Sequence, residues 1–329
     1  MTQDISRRKA LTLLGGGALA AAFPAVTLRA QGSGPLHLGI QTTIWGAVAI
    51  VAEAEKTFEK AGVNVVVDKF DSGANARDAM IGGHVDLVSI GATPFITGVA
   101  KSDLVAIGMV AYAGGTLALV ASKKSGIKTV AELKGKKIAS QLGSQTDFVF
   151  QNKIMPAFGL KKGDYQVINV KFRDQVSAMA SGSVDAFAGV EPYPAVAEVE
   201  GLGTILTDYS KYDIVPVILG TNNTVLKNRQ DDLVKFMHGW VAASNLCRND
   251  PAKAANIIGN FFRAKGYKMK DDVFKVALSH MDVTPSFKPE LKDYLTGVAN
   301  TMVGRGQINA VPNLDHALHR EILKKTGLA

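Results

Sequence analysis

The feature that most constrains this chain is a repeated strand–turn–helix unit. Gly82 to Pro94 reads GGHVDLVSIGATP, and Gly182 to Pro194 reads GSVDAFAGVEPYP, with Asp185 standing 99 positions after Asp86. Both copies follow an Ala-Met pair, Ala79-Met80 and Ala178-Met179. In each, Val-Asp opens a short apolar strand that stops at a turn containing Pro, and a helix follows. A chain that builds this unit twice is expected to form two like α/β halves. Each half presents a strand end and a helix N-terminus, which is what a two-lobed ligand clamp requires.

The flanking sequence fits that frame. Leu36 to Ile40 reads as a strand, then a helix runs to about Lys60 and stops at Gly62. Val63 to Phe70 and Asp103 to Val110 are further strands, so the economical arrangement is a parallel sheet with right-handed crossovers. Tyr112-Ala-Gly-Gly115 interrupts the pattern, and Thr116 to Ser122 starts a second α/β unit. That unit continues with strands at Lys137 to Ser140, Tyr165 to Val170 and Val184 to Ala188. Helices are expected from Gly143 through Phe158 and from Arg173 to Ser181. After a strand at Val215 to Thr221 the chain turns helical, at 230–249, 251–265, 271–281, 289–304 and 315–325. The predicted fold is α/β and two-lobed, with two parallel-type sheets, flanking helices and a helical C-terminal tail. Lobe one takes 31–118 plus 219–329, lobe two takes 119–218, and the two crossing strands make a hinge.

Residues 1–30 are set apart from the fold. Ser6-Arg7-Arg8-Lys9 precedes an apolar run from Ala10 to Val26, and Leu28-Arg29-Ala30 offers a cleavage site. Paired arginines before such a run resemble a twin-arginine export signal, with an uncleaved membrane anchor as the alternative. Gly15-Gly16-Gly17 interrupts the run, which is short for a span. The chain is therefore expected to be exported to the periplasm and not to span the membrane once the signal is removed. Of the net charge of +8, Arg7, Arg8, Lys9 and Arg29 against Asp4 supply three, leaving five on the remainder. That excess is scattered in short lysine pairs, without the aromatic-interleaved stripes of a nucleic-acid binder. Cys247 is the sole cysteine, which excludes an intrachain disulfide and a thiolate metal cluster. Its helical neighbours make it a small buried hydrophobe.

Ligands of open α/β sheets sit beyond the carboxyl ends of strands, where helix N-termini offer free N–H groups. Four loops meet that condition: 41–45, 91–94, 143–146 and 190–193. They nominate Gln41, Thr42, Thr43, Trp45, Gly91, Ala92, Thr93, Ser144, Gln145, Thr146, Glu191 and Tyr193, to which Asn222 is added at the expected return crossover. None is Lys or Arg. A small anion would be held by hydroxyls, amides and helix dipoles, each N-terminus supplying about 0.3–1 kcal/mol. That suits a sulfonate or carboxylate head better than a phosphate ester. The Ser and Thr residues are equally suited to capping helices. Trp45 and Tyr193 would give a pocket an apolar wall and a hydroxyl, with a core position as the alternative for Trp45. Glu191 either meets a ligand amine or caps the helix near Pro192. Asp86 and Asp185 are expected at the far end from the ligand, as turn or cap residues.

Enzyme signatures are thin. His316-x-x-His319 shares one face of the last expected helix but lacks a carboxylate at metal-ligand spacing. There is no G-x-S-x-G elbow, P-loop or strand-borne G-x-G-x-x-G. Neither catalytic residues nor a metal or cofactor are expected.

Taken in order, Leu36 to Gln41, Val85-Asp86 through Gly91-Ala-Thr-Pro94, Val130-Ala-Glu-Leu-Lys-Gly-Lys-Lys-Ile138, Gly143-Ser144, and Val184-Asp-Ala-Phe-Ala188 with Glu191-Pro-Tyr193 carry a resemblance. Together they are similar to the periplasmic solute-binding proteins of nitrate/sulfonate/taurine-type ABC importers, over nearly the whole chain beyond the signal. The resemblance implies a Venus-flytrap fold, a small anionic ligand, a cognate permease with its ATPase, and a monomer. Val190 stands where sulfonate binders often carry Trp, and the cysteine-rich signature of the pyrimidine-precursor branch is absent. An enzyme on the same fold, of lyase or pyrimidine-precursor synthase type, and a ligand-presenting sensor module are the alternatives.

Overall fold

The computed structural model describes residues 34–267 and 269–327; the expected export signal lies outside them. The first lobe opens with β1 (Leu36–Gln41), α1 (Ala47–Glu55), α2 (Thr57–Lys60), β2 (Val65–Phe70) and α3 (Gly73–Ile81). It continues with β3 (Leu87–Gly91), α4 (Ala92–Lys101) and β4 (Leu104–Tyr112). Both β3 and β4 are buried along their full length, which is why they read as unbroken apolar runs rather than alternating ones. The second lobe comprises β5 (Leu117–Ser122), β6 (Lys137–Ser140), α5 (Gln145–Val149), α6 (Met155–Ala157) and β7 (Gln166–Asn169). It ends with α7 (Phe172–Ala180), β8 (Ala186–Val190), α8 (Tyr193–Val199) and β9 (Gly203–Asp208). The chain then returns as β10 (Pro216–Asn222). The tail holds α9 (Asn223–Asn228), α10 (Gln230–Asn249), α11 (Pro251–Arg263), α12 (Asp271–Ser279), α13 (Leu291–Gly304), α14 (Leu314–Ala317) and α15 (Glu321–Lys325).

Two five-stranded sheets result, ordered β2-β1-β3-β10-β4 and β7-β6-β8-β5-β9. They are mixed rather than parallel throughout. β10 runs antiparallel to β3 and β4, and β5 antiparallel to β8 and β9. A strand arriving directly from the other lobe must start at the hinge end, where the parallel strands finish. The second sheet begins at Leu117 and the first resumes at Pro216, just ahead of the expected boundaries at 119 and 219.

The repeated Val-Asp has the same job twice. Asp86 donates its N–H to His37 O and accepts from His37 N through Oδ2, both at 2.8 Å. Asp185 does the same with Lys137 O and N, again at 2.8 Å. Each carboxylate thus clips the start of the neighbouring strand, β1 or β6, at the amino end of its sheet.

Some elements depart from expectation. β9 is a partly exposed edge strand whose weak alternation hid it. The helix expected through Phe158 is interrupted by a π-helical turn at Phe150–Ile154. The last expected helix is two pieces, because Leu318 bridges to Ala106 and His319 N donates to Ala106 O at 2.9 Å. His316 and His319 therefore do not share a helix face.

The tail covers the first lobe. Trp240 is fully buried and its indole N–H donates to Met109 O at 3.1 Å, while Phe236 stacks on Phe58 at 4.8 Å. The outer edge of β4 is sealed by tail backbone: Met109 N donates to Pro285 O and Tyr112 N to Asp282 O. Covering an edge strand in this way removes a site for unwanted sheet pairing. Cys247 is buried in α10, and burial pushes its thiol up to about 12, so it packs as a small apolar side chain.

Candidate functional site

The carboxyl ends of β1 and β3 meet those of β6 and β8 across one cleft, and the lobes touch there. Ile44 N donates to Glu191 O at 2.9 Å, and the Tyr193 hydroxyl donates to Thr42 O at 3.1 Å. Thr93 donates its N–H and hydroxyl to Gln145 Oε1 at 2.8 and 2.7 Å. The four loops chosen from the sequence therefore converge. Gln41, Thr43, Trp45, Gly91, Ala92, Thr93, Ser144, Gln145, Thr146, Glu191 and Tyr193 are all buried, and Thr42 is half-buried.

Local sequence explains the positions. Thr43 caps the short 3-10 turn Ile44–Gly46, its hydroxyl accepting from Trp45 N. Ser144 caps α5 by accepting from Asp147 N at 3.0 Å, and Glu191 Oε2 accepts from Ala195 N in the first turn of α8. The Trp45 indole N–H donates to Thr116 Oγ1 at 2.8 Å, tying the cleft wall to the first crossover. Gly91 is needed for close approach: a Cβ there would lie 2.6 Å from Gln145 Cβ and 3.3 Å from the Trp45 ring.

Behind Gln145 runs a buried polar chain that links both lobes to the hinge. Gln145 Nε2 donates to the Tyr294 hydroxyl at 2.9 Å, which donates to Asp213 Oδ1 at 2.7 Å. Asp213 Oδ2 pairs with Lys153 at 2.5 Å, and Lys153 lies over the Tyr294 ring. Asp213 belongs to the second crossover and also accepts from Val215 N at 2.7 Å. Val215 has φ 44°, a left-handed conformation unfavourable for a β-branched residue, held here by that bond. The crossovers press together, since a Cβ on Gly114 would fall 2.0 Å from Asp213 O. At the rim, Asp71 of lobe one pairs with Lys171 at 2.7 Å and Arg173 at 2.8 Å from lobe two.

Burial sets the electrostatics. It raises the Glu191 carboxyl to about 7, opposed by the Ala195 N–H and aided by repulsion from Glu198. Burial likewise raises Asp147, against hydrogen bonds from Gln151 and Ser140. Gln41 Nε2 and Thr146 Oγ1 are buried without a hydrogen-bond partner. Such groups are costly unless something supplies the missing bond.

Asn222 is a correction. It ends β10 opposite Leu104, at the amino end of β4 and so at the pole away from the cleft, where its side chain accepts from Val225 N to cap α9. The return crossover is 209–215, and β10 runs away from the hinge. Conversely, Asp71, Lys171 and Arg173 were overlooked, although they follow the carboxyl ends of β2 and β7 and the same strand-end rule reaches them. Tyr294, Asp213 and Lys153 carry no local signal; only the folded tail and hinge bring them to Gln145. Among the described residues no cluster of three or more His, Cys, Asp or Glu could hold a metal, and no helix is long and apolar enough to cross a membrane.

Two lobes joined by paired crossovers, with the strand ends of both sheets enclosing buried polar groups, define a two-lobed protein of the periplasmic-binding-protein fold. Residues 29–259 match the NMT1-like family, and the chain belongs to it. An Escherichia coli K12 protein named for binding aliphatic sulfonates is 31% identical over 176 residues, 53% of this chain. That match spans about half, 54%, of the E. coli protein. A binding protein of Brucella abortus is 29% identical over 286 residues, covering 84% of this chain and 87% of its own. Among solved structures, the alkanesulfonate-binding protein SsuA of Xanthomonas axonopodis, bound to MOPS, superposes with TM-score 0.78 at 19% identity. That alignment covers 88% of this chain and 99% of the SsuA chain.

Proposed function

We propose that the protein is the extracytoplasmic solute-binding component of an ABC importer. It captures a small organic anion, a sulfonate or an aliphatic or aromatic carboxylate, between its lobes. The observation that carries this reading is the enclosure of neutral polar groups where the strand ends of the two lobes meet. At the N-terminus of α4 the Thr93 N–H donates to Gln145 Oε1 across the lobes, and Gln41 Nε2 and Thr146 Oγ1 on the converging loops are buried without a hydrogen-bond partner. Helix N-termini favour anions, and more so when buried. With no Lys or Arg among the cleft loops, the donors are neutral. This suits a weakly hydrated monoanion. Trp45 and Tyr193 supply the apolar wall for its organic part.

Solute binding stabilises a closed form, and a permease with its ATPase reads that form and accepts the solute. The exported protein works in the periplasm as a monomer, and its role requires binding without chemistry. The name of the E. coli relative supports the choice of sulfonates first. The test is a thermal-shift and calorimetric panel of alkanesulfonates, taurine, nitrate and aromatic carboxylates. A sulfonate or carboxylate is expected to raise Tm, and the Thr93→Ala, Ser144→Ala double variant to weaken that hit. If none of the anions shifts Tm, or the double variant binds as the wild type does, the assignment falls.

A further inference from the structure

The short lysine pairs that look scattered in the sequence are gathered by the fold. The second sheet is ordered β7-β6-β8-β5-β9, with β6, β7 and β8 parallel and β5 antiparallel to β8. Residues ahead of β6 and β7 and residues after β5 therefore share one edge of the sheet, at the pole away from the cleft. That edge carries Lys161-Lys162 ahead of β7, Lys136-Lys137 at the start of β6, and Lys123-Lys124 after β5. At a strand spacing of about 4.8 Å, the three pairs span roughly 15 Å. Lys128 and Lys134, on the segment joining β5 to β6, belong to the same end. Lys136 is half-buried and the other seven are exposed.

These charges are not spent inside the protein. The ion pairs of lobe two use Asp71, Asp174 and Asp213, and among the described residues none of the eight ammonium groups has a carboxylate partner. Three carboxylates at this pole bond to backbone instead: Glu132 accepts from Lys128 N, Asp164 from Lys161 N and Asp185 from Lys137 N. Glu198 and Glu200, at the end of α8, are the others. Eight lysines against five carboxylates leave an excess of three positive charges.

Lobe one shows that the scaffold does not require them. Its ladder sets His37 opposite Val66 where lobe two sets Lys137 opposite Gln166. It sets Thr221 opposite Leu87 where lobe two sets Ala121 opposite Ala186. The three pairs thus correspond to Leu36-His37, Ala61-Gly62 and Asn223-Thr224. None of those six is a lysine, although the strand clip is built alike.

We propose that the far pole of lobe two is a docking surface for an anionic phospholipid bilayer. The residue type selects the partner. All eight cations are Lys and none is Arg, whereas protein interfaces enrich Arg and deplete Lys, and built phosphate sites favour the guanidinium fork. Dispersed ammonium groups suit a surface of many phosphates, where each Lys strengthens attraction roughly fivefold. Pole and cleft lie at opposite ends of the sheet, so solute can enter while the pole is docked. A protein held near the bilayer meets a membrane permease more often; that benefit rests on the importer reading, and the lipid binding does not.

The test is co-sedimentation of the full-length protein, without solute, with phosphatidylcholine vesicles that contain or lack phosphatidylglycerol, at about 0.05 and 0.5 M salt. Residues 1–30 are common to every variant, so their contribution cancels in the comparison. The wild type should prefer the anionic vesicles at low salt. Replacing Lys123, Lys124, Lys161 and Lys162 together by Gln should lower that partition roughly a hundredfold. If this variant does not fold, Lys161→Gln with Lys162→Gln serves, with a loss of about tenfold. Replacing Lys60, Lys227, Lys235 and Lys275 by Gln removes the same charge from exposed positions on lobe one and should leave the partition as in the wild type.

Equal sedimentation with and without phosphatidylglycerol would overturn the proposal, as would equal losses in the two sets of variants. Poly-L-glutamate is the rival probe: if it binds through the lobe-two lysines while vesicles do not, the partner is an acidic protein and the bilayer is excluded. Failure of every anion to bind in the cleft would remove the solute reading and leave the vesicle result standing.

Discussion

Replacing Glu191 by Gln should change how stability depends on pH, and the structure fixes both sign and scale. The carboxyl is 8% exposed, and burial raises it from 4.5 to about 7. The folded protein therefore holds a proton between those values that the unfolded chain releases. Stability from this group is fully present below about pH 4.5 and is lost as pH rises to about 7, with no further change above. At about 1.4 kcal/mol per pH unit, the separation corresponds to about 3 kcal/mol. Glu191→Gln keeps an acceptor for the Ala195 N–H but cannot ionise. It should match the wild type near pH 4 and exceed it by up to about 3 kcal/mol at pH 8. Urea unfolding of both proteins at pH 4, 6 and 8 isolates the effect, because other titrations cancel in the difference. A difference that stays constant to within about 0.5 kcal/mol would refute the argument that burial, rather than a compensating partner, governs this carboxyl.

Gly91→Ala should wedge the lobes apart, since its Cβ would sit 2.6 Å from Gln145 Cβ; overpacking of about 1–3 kcal/mol predicts a larger radius of gyration in small-angle scattering. Asp71→Asn removes the rim pairs to Lys171 and Arg173. These are partly exposed, so a loss of only about 0.5–1 kcal/mol is expected, together with loss of the salt dependence of closure between about 0.05 and 0.5 M. Asp86→Ala and Asp185→Ala each remove one strand clip. Each should cost about 1–2 kcal/mol, and because the clips lie in different lobes the double variant should show the sum; a shortfall would mean the sites are coupled.

How much was legible follows from which forces act locally. The repeated Val-Asp announced itself because strand starts and turns impose their chemistry within a few residues, and the loops after β1, β3, β6 and β8 followed from strand polarity. Asn222 misled because a strand ending in an N-cap looks the same whichever way it runs in the sheet. Direction came from the hinge, a long-range property. Tyr294 was invisible for a related reason: it stands 149 residues from its partner Gln145, and α13 alone says nothing about where it docks. His316 and His319 looked paired because helical spacing was assumed to continue, whereas the backbone bridge from Leu318 to Ala106 won.

The placement of β10 between β3 and β4 has a bearing on how the chain matures. All five strands of the second sheet lie within 117–208, so that lobe can assemble as a continuous stretch of nascent chain. The first sheet cannot. Until Pro216 to Asn222 has been made, β4 has no neighbour joining it to β3, and a buried apolar strand waits without its backbone partners. Lobe two is thus expected to fold ahead of lobe one, reversing the order of synthesis. The long-range closure of the first sheet then becomes the slow step, and it is the interval in which a chaperone or export factor would find the chain most receptive.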